Sequence, residues 1–325
     1  MNILITGGLG YIGSNVISKL LKVEEINKIL IVDNLSSSKK EILEKFENIS
    51  GKEIVFLKKS IGKLKKKDLK KHRLTHVIHF AGLISVEEST ADPISYYDNN
   101  VAQSINLLKL CKKLKINNFI FSSTASVYES SNDPVKENSK TNPLSPYSNS
   151  KLIFESILKD YNEINKDFNL IILRYFNVAG ASDNLKFGQT AKKATHLIRV
   201  AAKVKIGELK SISIFGTDYN TKDGTCIRDY IHIEDLAEAH ILALNKIKKI
   251  TGTFNIGSGT GYSVKEVIDT INNLEIEVKE RRAGDSEKIL SNTTKAKEIL
   301  GFIVKKDIKS ICDSAIAWER SQKKD

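Results

Sequence analysis

Tyr147 and Lys151 stand four residues apart in the segment YSNSK, directly after Pro146 and at the start of an amphipathic pattern. On a helix, that spacing puts both side chains on one face. An ammonium beside a phenol favours the phenolate, lowering a pKa that starts at about 10 and making tyrosine a usable proton acceptor near neutral pH. The same pair is also common on ordinary surfaces, so its meaning depends on its neighbours. Upstream, FSSTASVY (121–128) sets Ser122, Ser123 and Thr124 at the end of an apolar run. A hydroxyl there either bridges a substrate and Tyr147 or caps backbone groups at a strand end.

A second constellation lies at the beginning of the chain. GGLGYIG (7–13) spaces Gly7, Gly10 and Gly13 as GxxGxxG, directly after ILIT and before a helix pattern through Val16, Ile17, Leu20 and Leu21. Glycines let a backbone approach a pyrophosphate, and a helix N-terminus offers N–H groups and a positive dipole end. The next apolar run ends at Asp33, whose carboxylate can accept hydrogen bonds from an adenosine ribose and repel a 2′-phosphate; the spacing predicts NAD over NADP. Ala81 and Gly82, in FAGLISV (80–86), permit another close backbone approach. The later cluster GSGTG (257–261) predicts a strand-to-helix turn instead of a second nucleotide site.

These residues need a frame, and the apolar runs supply one. ILIT (3–6), KILIV (28–32), IVFL (54–57), HVIHF (76–80), FIFS (119–122) and LIILR (170–174) alternate with helix-period segments. Continuous rather than alternating apolar strands are buried on both faces, which predicts an α/β fold with a doubly wound parallel sheet. Beyond residue 175 the rhythm loosens, with strand candidates at ISIF (212–215), YIHI (230–233) and TFNI (253–256). The expected organisation is a cofactor domain over 1–175 with returning segments from about 229–256, interleaved with a smaller α/β substrate lobe over 176–325. All four prolines lie between Pro93 and Pro146, so no proline-rich linker divides the two.

Composition narrows the class further. The chain has 325 residues, 41% of them hydrophobic, and a net charge of +12. The densest basic run, KLKKKDLKKHR (63–73), has apolar residues only at Leu64 and Leu69 and no interleaved aromatics to stack on bases, so it reads as a solvated helix face and no nucleic-acid partner is expected. The excess would still favour an acidic substrate. No apolar run approaches the roughly 20 residues needed to span a bilayer. Cys111, Cys226 and Cys312 form no CxxC pair, and His76 and His79 read as packing at strand edges, so neither a disulfide framework nor a metal site is expected and a reducing cytoplasm fits best. A hydrolase is disfavoured by the lack of a GxSxG elbow.

Taken in order, GGLGYIG, DNLSSSK, HFAGLISVEES, YYDNNV, FIFSSTASVY, SPYSNSK, LRYFNVAGA, DGTCIRDYIHIEDLA and RRAGD resemble the UDP-glucose 4-epimerase group of the extended short-chain dehydrogenase/reductase family, over almost the whole chain. The resemblance implies a Rossmann-type domain with bound NAD and a UDP-sugar substrate. It implies that Tyr147 is the base, that Lys151 lowers its pKa and holds the nicotinamide ribose, and that Thr124 stands at the Ser/Thr position. Cofactor contacts are implied at Gly7, Gly10, Tyr11, Ile12, Gly13, Asp33, Asn34, Phe80, Ala81, Gly82, Asn99, Tyr147, Lys151 and Phe176, and at Ser60 and Ile61 where relatives often have an acidic residue. Substrate contacts are implied at Thr124, Tyr147, Asn177, Phe215, Arg228, Arg282 and Asp285, with Ile289 near the position that gates the sugar C2 substituent. Two further departures are Ile84 for a lysine and Glu129 for a glycine.

The resemblance also implies a homodimer through the helices at 92–115 and 146–165. Dehydratases and decarboxylases of this family typically carry carboxylates after the Ser/Thr position, where this chain has Ala125 and Ser126; they are the first alternative. A non-catalytic NAD-sensing protein on the same fold is the second. UDP-Glc/UDP-Gal and UDP-GlcNAc/UDP-GalNAc are both open as substrates.

Overall fold

The computed structural model describes residues 1–47, 51–191, 195–281 and 286–323. The chain divides into two compact units. The first takes Met1–Val127, Thr141–Arg174 and His240–Phe254, and the second takes Tyr128–Lys140, Tyr175–Ala239 and Asn255–Asp325.

The first unit is built on β1 (Asn2–Thr6), β2 (Lys28–Asp33), β3 (Glu53–Lys58), β4 (His76–His79), β5 (Asn118–Thr124), β6 (Asn169–Tyr175) and a returning strand, Gly252–Ile256. Their order across the sheet is returning strand, β6, β5, β4, β1, β2, β3. The pairs β2 with β3, β1 with β2, β1 with β4, and β4 with β5 are parallel, and Ile5 lies in register with both Ile31 and Ile78. Helices α1 (Tyr11–Leu20), α2 (Gln103–Leu114) and α3 (Pro146–Ile164) belong to this unit. One core cluster gathers Leu4, Val32 and Val77 from the strands with Leu107, Phe154 and Leu158 from α2 and α3.

Two local features aim α3. Ser145 caps its N-terminus, accepting from the Ser148 N–H at 3.2 Å, and Pro146 occupies the first turn, where its missing N–H costs nothing. Phe154 then meets Phe121 of β5 edge-on, with ring centroids 5.0 Å apart. The strand order reverses between β1 and β4, so their carboxyl ends open the crevice in which such sheets bind ligands.

In the second unit, the strands Asn177–Ala179, Ile227–His232, Gly261–Ser263 and Lys288–Ile289 form one sheet, and Ile212–Phe215 pairs separately with Ile276–Lys279. A second core cluster includes Ala201, Ala202, Ile212, Ile268, Ile311 and Cys312. The segment 128–140 belongs here although it precedes residue 175, and the segment returning to the first unit is 240–254, narrower than 229–256. The reason for the first difference is long-range pairing. Val135 exchanges backbone hydrogen bonds with Leu290 and Asn292 at 2.8 and 2.9 Å, and the Tyr128 hydroxyl donates to Asn255 Oδ1 at 2.6 Å.

The basic run folds as a short helix, Lys66–Lys70, with Leu64 and Leu69 buried and the intervening lysines turned outward. Cys111, Cys226 and Cys312 are free and buried. Among the described residues, no helix is long and apolar enough to cross a membrane and no group of three or more His, Cys, Asp or Glu is arranged to hold a metal ion.

Candidate active site

The glycine turn packs without spare room. Gly7 adopts φ +68°, and a Cβ there would lie 2.7 Å from the Ala81 backbone nitrogen at the end of β4. A Cβ on Gly13 would lie 2.5 Å from the Gly7 carbonyl oxygen. Gly10 is the N-cap of α1, and no side chain closes that helix end, which leaves its positive pole open to an anion. At the end of β2, the Asp33 carboxylate accepts from the Leu9 N–H (3.1 Å), the Leu35 N–H (2.9 Å) and the Ser38 hydroxyl (2.8 Å). A carboxylate has about four acceptor positions, so capacity remains for a ligand hydroxyl. These residues therefore fit a dinucleotide: a phosphate-approach turn, an uncapped helix N-terminus and a fixed acceptor at the next strand end.

The other implied cofactor residues are distributed over both units. Tyr11 and Ile12 open α1, half-buried, and exposed Asn34 follows Asp33. Phe80 continues from β4 and rests 5.1 Å from the His240 ring. Ser60 donates to Gln103 Oε1 at 2.5 Å and precedes buried Ile61. Asn99 is half-buried in a wide π-turn over Asp98–Ala102. Its neighbour Asn100 does the structural work there: its amide accepts from the Leu83 N–H (2.8 Å) and donates to the Leu83 carbonyl and the Ser150 hydroxyl (both 3.0 Å). Ile84 is exposed. Phe176, in the second unit, is buried and its N–H donates to the Ile256 carbonyl at 3.2 Å.

Tyr147, Lys151 and Thr124 come together where α3 passes the end of β5. The Tyr147 phenol stands beside the Thr124 hydroxyl. The Lys151 ammonium donates to the Ser122 carbonyl at 3.0 Å and lies 5.0 Å from the Phe121 ring centre, and a Cβ on Gly82 would stand 3.4 Å from Nζ. Thr124 Oγ1 also meets the Ser126 hydroxyl at 2.9 Å. Burial holds the Tyr147 phenol above its ordinary value, and the opposing influence is the neighbouring Thr124 side chain. Burial likewise brings the Lys151 ammonium down to about 8, with Glu155 acting in the other direction.

Beneath this trio lies a network absent from the sequence reading. Glu155 on α3 accepts from the Ser123 hydroxyl (2.5 Å), from Arg174 Nε (2.9 Å) and from Arg174 Nη2 (2.6 Å), with Lys159 at 3.2 Å. The only sequence signals were an arginine ending the apolar run LIILR and a glutamate one turn beyond Lys151.

Three of the expected substrate residues gather on one small sheet in the second unit. Asn177 is in register with Tyr230, and its side chain donates to the Asp229 carbonyl at 3.0 Å. Arg228 is the register partner of Ile289. Asp229, wholly buried, accepts from the Ser258 N–H (2.7 Å), the Gly259 N–H (3.0 Å) and the Ser291 N–H (3.0 Å), so the GSGTG cluster wraps a carboxylate within the protein. Phe215 stands apart on the other sheet, in register with Lys279. Arg282 and Asp285 lie outside the described residues.

The comparisons agree with this geometry. A family model described as "NAD dependent epimerase/dehydratase family" matches residues 3–257. The chain is 40% identical over 330 residues to a UDP-glucose 4-epimerase of Azospirillum brasilense, covering 98% of this chain and 92% of that protein. Its fold superposes with TM-score 0.94, at 34% identity and over 99% of this chain and 98% of the other, on a UDP-glucose 4-epimerase from Stenotrophomonas maltophila with bound NAD and formylated UDP-arabinopyranose. A UDP-Glc/GlcNAc 4-epimerase from Campylobacter jejuni gives TM-score 0.85 at 39% identity, over 98% of this chain and 99% of that one. With its glycine crossover, its parallel sheet and its tyrosine and lysine on one helix face, the chain belongs to the NAD dependent epimerase/dehydratase family and, within the extended short-chain dehydrogenases, to the UDP-glucose 4-epimerase group.

Proposed function

We propose that this protein is an NAD-dependent 4-epimerase that interconverts UDP-glucose with UDP-galactose, and also UDP-GlcNAc with UDP-GalNAc. The observation that carries this reading is the placement of Tyr147 beside Thr124 and buried Lys151 at the end of β5. NAD, when bound, supplies a reversible hydride acceptor, so that a secondary alcohol can be oxidised to a ketone and reduced again. Gly7, Gly10, Tyr11, Ile12 and Gly13 hold its pyrophosphate. Asp33 and Asn34 hold the adenosine ribose. Ser60, Ile61, Phe80, Ala81, Gly82, Asn99 and Phe176 complete the contacts.

In the reaction, Thr124 orients the sugar 4-hydroxyl and Tyr147 takes its proton. Burial alone keeps the phenol protonated, so the nearby positive charge of Lys151 must be brought to bear in the loaded enzyme before Tyr147 can act as a base. The resulting 4-keto sugar turns about its diphosphate and is reduced on its other face, with Tyr147 returning the proton. Asn177, Phe215, Arg228, Arg282 and Asp285 grip the UDP portion and leave the hexose room to turn, while Ile289 borders its C2 substituent. Arginine suits the diphosphate because its planar fork can donate two bonds at once.

Epimerisation is favoured over elimination or decarboxylation because Thr124 is followed by Ala125 and Ser126, and the Ser126 hydroxyl is engaged with Thr124 at 2.9 Å. A broad substrate range is supported by Ile289, which is neither small nor aromatic, and by the UDP-Glc/GlcNAc enzyme among the relatives. Exposed Val86, Ile94 and Ile164 on helices of the first unit support a homodimer, and the free thiols support a cytoplasmic site. Incubating the purified protein with each of the four UDP-sugars, without added NAD, and separating the epimers tests the proposal. Interconversion of at least one pair is expected, and no turnover of any would overturn it.

A further inference from the structure

We propose that Glu155 is a positioning residue for the Tyr147 and Lys151 pair, anchoring the strand end they work against and supplying the negative charge that faces Lys151. The inference rests on the reading of Tyr147 as the base and adds a residue to it.

The first part follows from connectivity. Ser123 lies between Ser122, whose carbonyl accepts from the Lys151 ammonium at 3.0 Å, and Thr124, which stands beside Tyr147. Ser123 in turn donates to Glu155 at 2.5 Å. Residues 147, 151 and 155 fall at successive four-residue steps of α3, along one face. The helix therefore meets the strand end through three side chains, and Arg174 of β6 fixes the third through two bonds of 2.9 and 2.6 Å.

The second part follows from electrostatics. Glu155 and Arg174 are 0% and 2% exposed. A buried ion pair of this kind is often no more stabilising than apolar side chains of equal volume, so stability alone gives little reason to retain it. Burial by itself would push the Glu155 carboxyl up. Arg174, Lys159 and the Ser123 bond outweigh that and hold it below the usual carboxylate value, so it is ionised at neutral pH. Around Lys151 stand Tyr147 and Glu155 from α3, Ser122 and Phe121 from β5, Gly82 and Asn100, and His79 from β4, which burial keeps neutral at about 3. Glu155 is the group that opposes the desolvation of Lys151.

The test follows the Lys151 proton itself, by NMR of 13C-lysine-labelled protein with the resonance assigned from Lys151→Met. In Glu155→Gln the Lys151 midpoint is expected to fall by about one pH unit, and kcat near neutral pH to drop about tenfold with KM for the UDP-sugar unchanged. Because Glu155→Gln strands Arg174 and can unfold the protein, Glu155→Met/Arg174→Met is the second variant. It should recover the wild-type melting temperature while keeping the lowered Lys151 midpoint. An unchanged midpoint in whichever variant retains the fold would overturn the proposal, since a merely structural carboxylate alters melting alone. The NMR readout needs no turnover, so a wild-type protein inactive on all four UDP-sugars would remove the epimerase reading without deciding this one.

Discussion

Tyr147, in the first turn of α3, stands beside Thr124, the last residue of β5. Each is held from behind, Thr124 by Ser126 and the helix start by the Ser145 cap.

From that relationship, Tyr147→Phe should lower kcat by about 10²–10⁴-fold with the fold intact, because it removes the proton acceptor. Thr124→Ser should be nearly silent, and Thr124→Ala should cost an intermediate amount. Steady-state kinetics with matched circular dichroism spectra checks this, and full turnover in Tyr147→Phe would remove the assigned base.

Asp33→Ala should weaken NAD binding by roughly 10–100-fold, the loss of a hydrogen bond to a charged acceptor. NADP binding should weaken less, since the repelling carboxylate is gone. Titrations of the two nucleotides followed by intrinsic fluorescence give the ratio; equal losses would contradict the ribose role.

Gly7→Ala places a methyl 2.7 Å from the Ala81 nitrogen on a backbone that L-residues rarely adopt. A destabilisation of about 1–3 kcal/mol is expected, with loss of NAD binding. Urea midpoints together with a cofactor titration would show whether both effects occur.

Acid lability should originate in the histidines. Burial lowers His76 to about 4 and His79 to about 3, and it also lowers His72, His196 and His232. Their unfolded-state value is 6.5, so the stability from keeping His76 and His79 neutral is complete above that pH. It is lost as pH falls toward 4 and 3, because the unfolded chain binds protons that the folded one refuses. Each contributes a slope of up to about 1.4 kcal/mol per pH unit. His79→Asn should flatten the decline in urea midpoint between about pH 7 and about pH 5.5.

Ile289→Tyr should restrict the substrate range to UDP-Glc and UDP-Gal, and Ile289→Ala should raise kcat/KM for the N-acetylated pair relative to wild type. The relevant measurement is the ratio of the two specificities in each variant; a ratio unchanged in both would place the C2 gate elsewhere.

The sequence was most legible where the physics is local. The six apolar runs of the first half became β1–β6 because a strand buried on both faces must be apolar throughout, and the Gly7 turn was visible because only glycine tolerates its backbone and its neighbours. Tyr147 and Lys151 shared a face because helix geometry requires it. Long-range partners were not legible. Nothing near Arg174 in the chain points to Glu155, nothing near Asp229 points to Ser291, and the placement of 128–140 depends on pairing with 290–292. The Tyr147 pKa also escaped local reasoning, because burial depends on everything packed around the phenol.

The first unit closes its sheet with a strand drawn from beyond residue 239, outside β6. During synthesis, β6 must therefore wait with an unpaired edge until some 75 further residues, about the distance from 175 to 252, have left the ribosome. A fragment ending near 175 would keep that edge permanently, with Leu170, Ile171, Ile172 and Leu173 along it, and would be prone to pair with copies of itself. Dissecting the cofactor half from the rest by simple truncation is thus precluded by the order in which the strands are threaded.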